Sequence, residues 1–147
     1  MVELLVLMRH GAAEVCPDDS GDISRGLTMA GRQSLKAMMP HVRSLIDSDG
    51  DVVIWSSPAA CARQTATIVA HTLGIKPVEI RQSLYSQDVD AFFHELSSDD
   101  ARVVVAVGHD PLIEQTARHL DEDTPRLDEG AVAAFRLTGG LAWFVQG

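Results

Sequence analysis

Short apolar runs alternate along this chain with segments whose apolar residues recur at helical spacing. The runs at residues 2–7, 51–55, 78–80 and 103–107 predict β-strands. The run at 103–107 is rich in β-branched residues, which is typical of a central parallel strand covered on both faces. Residues 131–137 and 141–145 flank Gly139-Gly140, and this pattern predicts a hairpin of two edge strands.

Four helices are expected between these strands. Thr28 can cap a helix whose apolar face runs from Leu35 to Ile46, and Ser57-Pro58 is typical of a second helix start. Asp88 and the turn at Pro111 begin the third and fourth helices. This alternation predicts one α/β domain over residues 1–147, with a mostly parallel mixed sheet and helices on both faces.

Composition and charge narrow the function classes. The 147 residues are 46% hydrophobic and carry a net charge of −9, with basic residues scattered, so a nucleic-acid groove is not expected. No apolar stretch reaches membrane-spanning length, and the first apolar run lacks a preceding basic region, which favours a strand over a signal peptide. We expect a cytoplasmic protein that does not bind membranes.

The spacing of the cysteines and histidines along the chain matches no metal-binding motif. Cys16 and Cys61 form neither a disulfide framework nor a metal quartet, and no His/Cys/Asp cluster is visible in the sequence. We therefore expect no metal ion and no cofactor.

Two histidines follow predicted strands directly. His10 lies in Arg9-His10-Gly11 after the first strand, and His109 follows the strand at 103–107. Ligands bind at the carboxyl edge of open α/β sheets, so if these strands are near neighbours the imidazoles face each other across one pocket. A guanidinium group, an imidazole and the unhindered N–H of Gly11 together suit a phosphoryl group.

An ordered series of motifs resembles the histidine phosphatase superfamily, with its phosphoglycerate mutase-like fold. The series is Arg9-His10-Gly11, Arg25-Gly26-Leu27-Thr28 with Gly31, Ser56-Ser57-Pro58 with Gln64-Thr65-Ala66, and Gly108-His109-Asp110-Pro111. The short chain and the R-x-L-T-x-x-G segment are similar to the small SixA-type phosphohistidine phosphatases.

The resemblance implies a metal-independent phosphatase that works through a phosphohistidine intermediate. It implies that His10 is the nucleophile, that Arg9 binds phosphate oxygens, and that His109 stabilises charge during transfer. Arg25 is expected near the mouth of the pocket, and Gly11 among the phosphate-binding groups. The implied partner is a phosphorylated protein that carries phosphohistidine.

One departure from the family pattern affects the expected activity. Cys61 occupies the position where the pattern S-S-P-x-x-R has a phosphate-binding arginine, and Arg63 is expected to face away from it. Loss of such an arginine costs roughly 2–4 kcal/mol of transition-state stabilisation, unless Arg25 compensates. The chain is then a weak phosphatase or an inactive phosphate-binding module. We expect Cys61 to be an inert buried thiol, with a reactive thiol of lowered pKa as the lesser alternative.

A second departure concerns the substrate. Larger relatives carry an acidic residue in an L-x-E segment, whereas this chain has Leu84-Tyr85-Ser86, and Asp88 nearby is expected to cap a helix. Without a general acid, a phosphoramidate or aryl phosphate is favoured over a sugar phosphate, because imidazole leaves readily once its distal nitrogen is protonated. A small phosphomonoester phosphatase is the alternative within the enzyme class.

Overall fold

The computed structural model describes residues 2–14, 23–46, 51–75 and 77–147. The described part has six strands: β1 (Leu4–Arg9), β2 (Val52–Ser56), β3 (Val78–Ile80), β4 (Val103–Gly108), β5 (Val132–Arg136) and β6 (Gly140–Val145). It has five helices: α1 (Met29–Leu45), α2 (Ala60–Leu73), α3 (Gln82–Ser86), α4 (Val89–Ser97) and α5 (Leu112–Leu120).

The strands form one mixed sheet in the order β3-β2-β4-β1-β5-β6. The first four of these strands run parallel to one another, while β5 is antiparallel to β1 and β6 is antiparallel to β5. Every residue of β4 is buried, as expected for a central strand covered on both faces. The predicted mostly parallel α/β sheet is therefore confirmed.

Alternating residues of β1 feed two separate cores. Val6 and Met8 pack on one face of the sheet with α1 and α2. Leu5 and Leu7 pack on the other face, in a cluster that includes Phe92 of α4 and Ile113 of α5. Since successive side chains of a strand point to opposite faces, this division produces the three-layer arrangement.

The prediction of two edge strands in the hairpin is wrong for one strand. The hairpin forms at Gly139-Gly140, but β5 lies between β1 and β6, and only β6 is at an edge. Residues 132–135 are fully buried because the sheet continues on both sides of them. A hairpin signal identifies two adjacent strands, but it does not show which of them pairs with the remaining sheet.

Two further details differ from the sequence pattern. α2 begins at Ala60 rather than at Pro58, because the Ser57 hydroxyl accepts a hydrogen bond from the Ala59 N–H at 3.2 Å before the helix starts. The five-residue α3 was not predicted, since one turn is too short to show a helical period. Among the described residues, no helix is both long and apolar enough to span a membrane.

The start of α1 fixes the loop that follows β1. The Thr28 hydroxyl accepts a hydrogen bond from the Gly31 N–H at 2.9 Å, as predicted for a cap, and the Thr28 N–H donates to the Ala12 carbonyl at 2.9 Å. A side chain at position 31 would overlap the same Ala12 carbonyl oxygen. The first turn of α1 therefore packs against the backbone two residues beyond His10.

This contact predicts that Gly31→Ala destabilises the fold. Alanine is ordinarily favoured over glycine in a helix by about 1 kcal/mol, but overlap with backbone costs about 1–3 kcal/mol, so we expect a net loss of up to about 2 kcal/mol. The control is Gly139→Ala, whose added Cβ meets no atom closer than 3.6 Å. Urea denaturation measures both variants, and equal unfolding free energies for the two would contradict the packing argument.

Candidate active site

The two predicted histidines lie side by side at the carboxyl edge of the sheet. Arg9 and Gly108 are register partners in the parallel pair β1–β4, so His10 and His109 leave the sheet at the same level. The His10 N–H donates to the Gly108 carbonyl at 3.0 Å. The centroids of the two imidazole rings are 5.0 Å apart, with the ring planes inclined at 59°.

A backbone contact fixes the tautomer of His10. Its Nδ1 lies 2.7 Å from the Gly11 carbonyl oxygen, which can only accept a hydrogen bond, so Nδ1 carries the ring proton. The lone pair is then on Nε2. The residue is only 5% exposed, so the ring is held in a largely dry environment. The arrangement gives a neutral imidazole whose Nε2 is a nucleophile.

The Gly11 N–H, which was expected to bind phosphate, has a protein acceptor in this structure. This N–H donates to the Thr65 hydroxyl oxygen at 3.1 Å, and the Thr65 hydroxyl donates in turn to the Cys61 carbonyl at 2.8 Å. Gly11 therefore connects the nucleophile to α2. An added Cβ at Gly11 would lie 2.7 Å from Leu35 Cδ1, so the residue also lets α1 approach closely.

His109 is positioned by Ser57 and Tyr85. The Nε2 atom of His109 lies 2.8 Å from the Ser57 hydroxyl oxygen, which also accepts the Ala59 N–H. The Tyr85 ring meets the imidazole edge-on, with centroids 6.1 Å apart. Since Ser57 occupies one ring nitrogen, the other is left for a ligand.

Burial keeps both imidazoles neutral. Desolvation, assisted by the neighbouring His10, Arg25 and Arg9 charges, lowers the pKa of His109 from 6.5 to about 4. Desolvation is also the main cause that lowers the pKa of His10, opposed by its bond to the Gly11 carbonyl. At neutral pH neither ring carries a proton that would block nucleophilic attack.

The Arg9 side chain has one N–H donor for which the described residues supply no hydrogen-bond acceptor. Its Nη1 donates to the Leu127 carbonyl at 3.3 Å, and its Nε lies 3.7 Å from Asp110 Oδ2. The Nε atom is buried, and no hydrogen-bond partner for it is present in the described part of the chain. A buried donor left unpaired is costly, so an oxyanion that accepts from this atom gains stabilisation.

Arg25 lies at the pocket that His109 lines. Its segment is tied to α2, because the Ala60 N–H donates to the Ile23 carbonyl at 2.8 Å and Gln64 Oε1 accepts from the Leu27 N–H at 2.8 Å. Arg25 lines a cavity of about 140 Å³ together with residues that include Cys61 and His109. Its charge helps to lower the pKa of both histidines.

Cys61 is buried at the departure from the family pattern. The side chain is 3% exposed, and burial raises the pKa of its thiol, so the alternative of a thiol with lowered pKa is wrong. Arg63 is exposed on another side of α2, as predicted, and does not replace the missing arginine. Cys16 lies outside the described residues.

The expectation that the chain has no metal-ligating cluster also needs correction. One ring nitrogen from His10, one from His109 and the Cys61 sulfur all lie within 4.8 Å of one another. The three residues are distant in sequence and come together only through the pairing of β1 with β4 and the packing of α2. Spacing along the chain therefore gave no sign of this cluster.

Sequence reasoning missed three residues that shape the site. Thr65 and Ser57 fall inside the quoted motifs, but the motif alone does not show which atoms they bind. Glu129 carries no motif; its charge raises the pKa of His10 from the loop before β5. Its neighbour Gly130 donates its N–H to the Arg9 and His10 carbonyls, at 3.1 and 2.9 Å.

Asp88 is confirmed as a helix cap. Its Oδ1 accepts from the Ala91 N–H at 3.0 Å, at the start of α4.

Solved structures with the same fold cover nearly the whole chain. A protein from Agrobacterium tumefaciens assigned as phosphohistidine phosphatase SixA is 19% identical, with a TM-score of 0.86 and coverage of 100% of this chain and 99% of that one. The protein histidine phosphatase SixA complexed with tungstate is 23% identical, with a TM-score of 0.78 and coverage of 97% and 96%. A protein from Nakamurella multipartitia, also assigned as SixA, is 26% identical, with a TM-score of 0.74 and coverage of 98% and 95%.

Comparison of the sequence alone also identifies a family. No curated protein shows significant sequence similarity to the chain. The sequence pattern of the histidine phosphatase superfamily (branch 1) matches residues 5–92, which is more than half of the chain and includes most of β1, His10 and all of α2. The chain therefore belongs to the histidine phosphatase superfamily, branch 1.

Proposed function

We propose that this protein is a phosphatase that carries its phosphoryl group on His10 and takes it from phosphohistidine on a protein. The observation that carries the proposal is the state of the His10 ring. Its Nδ1 is held by the Gly11 carbonyl, its pKa is lowered by burial, and its Nε2 lone pair is available beside His109. Among the residues that the structure describes around the pocket, no other group combines nucleophilicity with this fixed orientation.

The reaction has two transfers. In the first, His10 Nε2 bonds to phosphorus while the bond from phosphorus to the donor imidazole breaks, and the electron pair returns to that imidazole nitrogen. In the second, a water oxygen bonds to phosphorus, the bond to Nε2 breaks, and the water proton passes to solvent or product phosphate. Both steps are in-line displacements that depend on positioning and charge neutralisation, and neither requires a metal ion.

Three side chains stabilise the transferring group. The buried Nε of Arg9 lacks an acceptor until an oxyanion arrives. Arg25 brings a second guanidinium to the same cavity. His109, held at Nε2 by Ser57, offers its other ring nitrogen to a phosphoryl oxygen. Such donors strengthen catalysis because they are already oriented before charge develops.

A phosphorylated protein fits this site better than a sugar phosphate. Asp88 is engaged as a cap of α4, and Ser86 stands where larger relatives carry an acid, so no dedicated general acid serves an alkoxide leaving group in the described part. Ile23 and Tyr85 on the cavity lining are 45% and 37% exposed, and they offer apolar contacts to a protein surface. The naming of two SixA neighbours as phosphohistidine phosphatases also supports this substrate.

Cys61 favours a second candidate function. With a neutral thiol in place of an arginine, the pocket has one fewer cationic donor. A phosphate- or phosphoprotein-binding module with little turnover is consistent with this loss, and activity measurements separate it from the enzyme.

Removal of the nucleophile tests the proposal directly. We expect His10→Ala to lower phosphate release from a phosphohistidine peptide by about a thousandfold or more, as for other covalent nucleophiles. The matched control is His71→Ala on the exposed face of α2, which should keep wild-type activity. Equal rates for wild type and His10→Ala, with both proteins folded, would eliminate the enzyme and leave the binding module.

The pKa directions predict the pH dependence. A lowered pKa means that the imidazole stays neutral until the pH falls below 6.5, so the loss of activity from protonation of His10 should occur only below that pH. In NMR titrations of the ring signals, assigned with His10→Ala and His109→Ala, we expect midpoints below 6.5 for His10 and near about 4 for His109. A midpoint above 6.5 for either ring would contradict the role assigned to burial.

Restoring the arginine tests the cost of Cys61. We expect Cys61→Arg to raise kcat/KM on the order of a hundredfold, the effect of one well-placed charge-stabilising donor. The control is Thr67→Arg, which adds the same charge at an exposed position farther along α2. If both variants fold and have the same activity, the missing arginine does not limit the reaction.

A further inference from the structure

We propose that His10, Cys61 and His109 bind one thiophilic divalent cation of the Zn²⁺ class, and that the bound metal switches off the phosphatase. We call these three residues the His₂Cys cluster. The binding site stands on the geometry alone, whereas the inhibitory consequence rests on the function proposed above.

The spacing of the ligand atoms suits a tetrahedral ion. The two imidazole nitrogens and the Cys61 sulfur lie within 4.8 Å of one another. Zinc bonds of about 2.0–2.1 Å to nitrogen and about 2.3 Å to sulfur place tetrahedral ligands roughly 3.3–3.8 Å apart. Closing onto an ion thus requires shifts of about 1 Å or less in the side chains. The fourth position is left for water or an oxyanion.

Both histidines already have the outer contacts that metal ligands need. An imidazole that binds a metal through one nitrogen usually forms a hydrogen bond through its other nitrogen, and this bond to a protein group orients the ring. The Gly11 carbonyl does this at His10 Nδ1, and the Ser57 hydroxyl does it at His109 Nε2. In each ring one nitrogen is therefore held by the protein and the other is available to an ion.

The substitution at position 61 changes the charge of the pocket in favour of a cation. The thiol of Cys61 stands where the family pattern has a guanidinium group. Metal binding displaces the thiol proton to solvent, so a thiolate takes the place of a positive group. The backbone N–H groups of Cys61 and Ala62 at the start of α2 favour the thiolate form of this sulfur, because they act to lower the pKa of the thiol against the effect of burial. Asp110, 3.7 Å from Arg9, partly offsets that arginine, which leaves Arg25 as the main opposing charge beside the cluster.

Occupation of the cluster and phosphoryl transfer exclude each other. The Nε2 lone pair of His10 that attacks phosphorus is the pair that would bond to the metal, and one lone pair cannot do both. A chelator that removes the ion restores the free imidazole. Inhibition should therefore be reversible and should follow the occupancy of this one site.

Cobalt provides a readout that does not depend on activity. Co²⁺ is titrated into chelator-treated protein with a non-chelating phosphine reductant, and absorption is recorded; Zn²⁺ affinity is then measured by competition with a chromophoric chelator. We expect one equivalent of Co²⁺ with a thiolate-to-cobalt charge-transfer band, and its displacement by Zn²⁺, which binds such sites more tightly. Absence of the band at saturating Co²⁺ overturns the proposal.

Variants identify the ligands. Cys61→Ser should abolish the charge-transfer band and weaken Zn²⁺ binding by about 100-fold or more, and His10→Ala and His109→Ala should also weaken it strongly. Cys16→Ser and His71→Ala are the matched controls and should bind as wild type does. A band that survives Cys61→Ser, or that disappears with Cys16→Ser, assigns the metal to other residues and overturns the proposal.

The same proteins separate failure of the site from failure of the function. Phosphate release is measured with metal-free protein and again during Zn²⁺ titration. A cobalt band dependent on all three ligands in a protein without phosphatase activity sustains the metal site and removes the proposed function. Activity that persists at full Zn²⁺ occupancy overturns the inhibitory part. Cys61→Arg should lose the metal, so that its activity resists Zn²⁺.

Discussion

The parallel pairing of β1 with β4 is the constraint on which the site depends. Hydrogen-bonding register brings Arg9 level with Gly108, so the next residue of each strand is a histidine at the same height above the sheet. Both faces of β4 are buried. A slip of its register by one residue would turn each of its side chains to the opposite face of the sheet, into the other core. The cores that stabilise the sheet thereby also hold the two imidazoles in contact.

A short chain of hydrogen bonds extends this constraint to α2. The Gly11 carbonyl orients His10, the Gly11 N–H binds Thr65, and the Thr65 hydroxyl binds the Cys61 carbonyl. His10, the start of α2 and Cys61 are thus linked by one chain of hydrogen bonds. Substitution of Thr65 would therefore act on the orientation of His10 through this chain.

Periodicity and motif order predicted most of the fold and the pairing of His10 with His109, because buried strands and strand-end histidines are local signals. The interior position of β5 was not predictable in this way, since a hairpin pattern does not record which strand meets the sheet. The bond from the Gly11 N–H to Thr65 and the approach of Glu129 to His10 join residues far apart in sequence. Such contacts arise from packing, which a single sequence does not display.

In the proposed reaction, the unsatisfied Nε of Arg9 would act on the release of product as well as on the binding of substrate. A donor that gains an acceptor when the substrate enters loses that acceptor again when inorganic phosphate departs, so the group that recognises the phosphoryl moiety also retards product release. Each guanidinium in the pocket adds to this retention. With Cys61 in place of one of them, the proposed enzyme would lose some transition-state stabilisation and release phosphate faster.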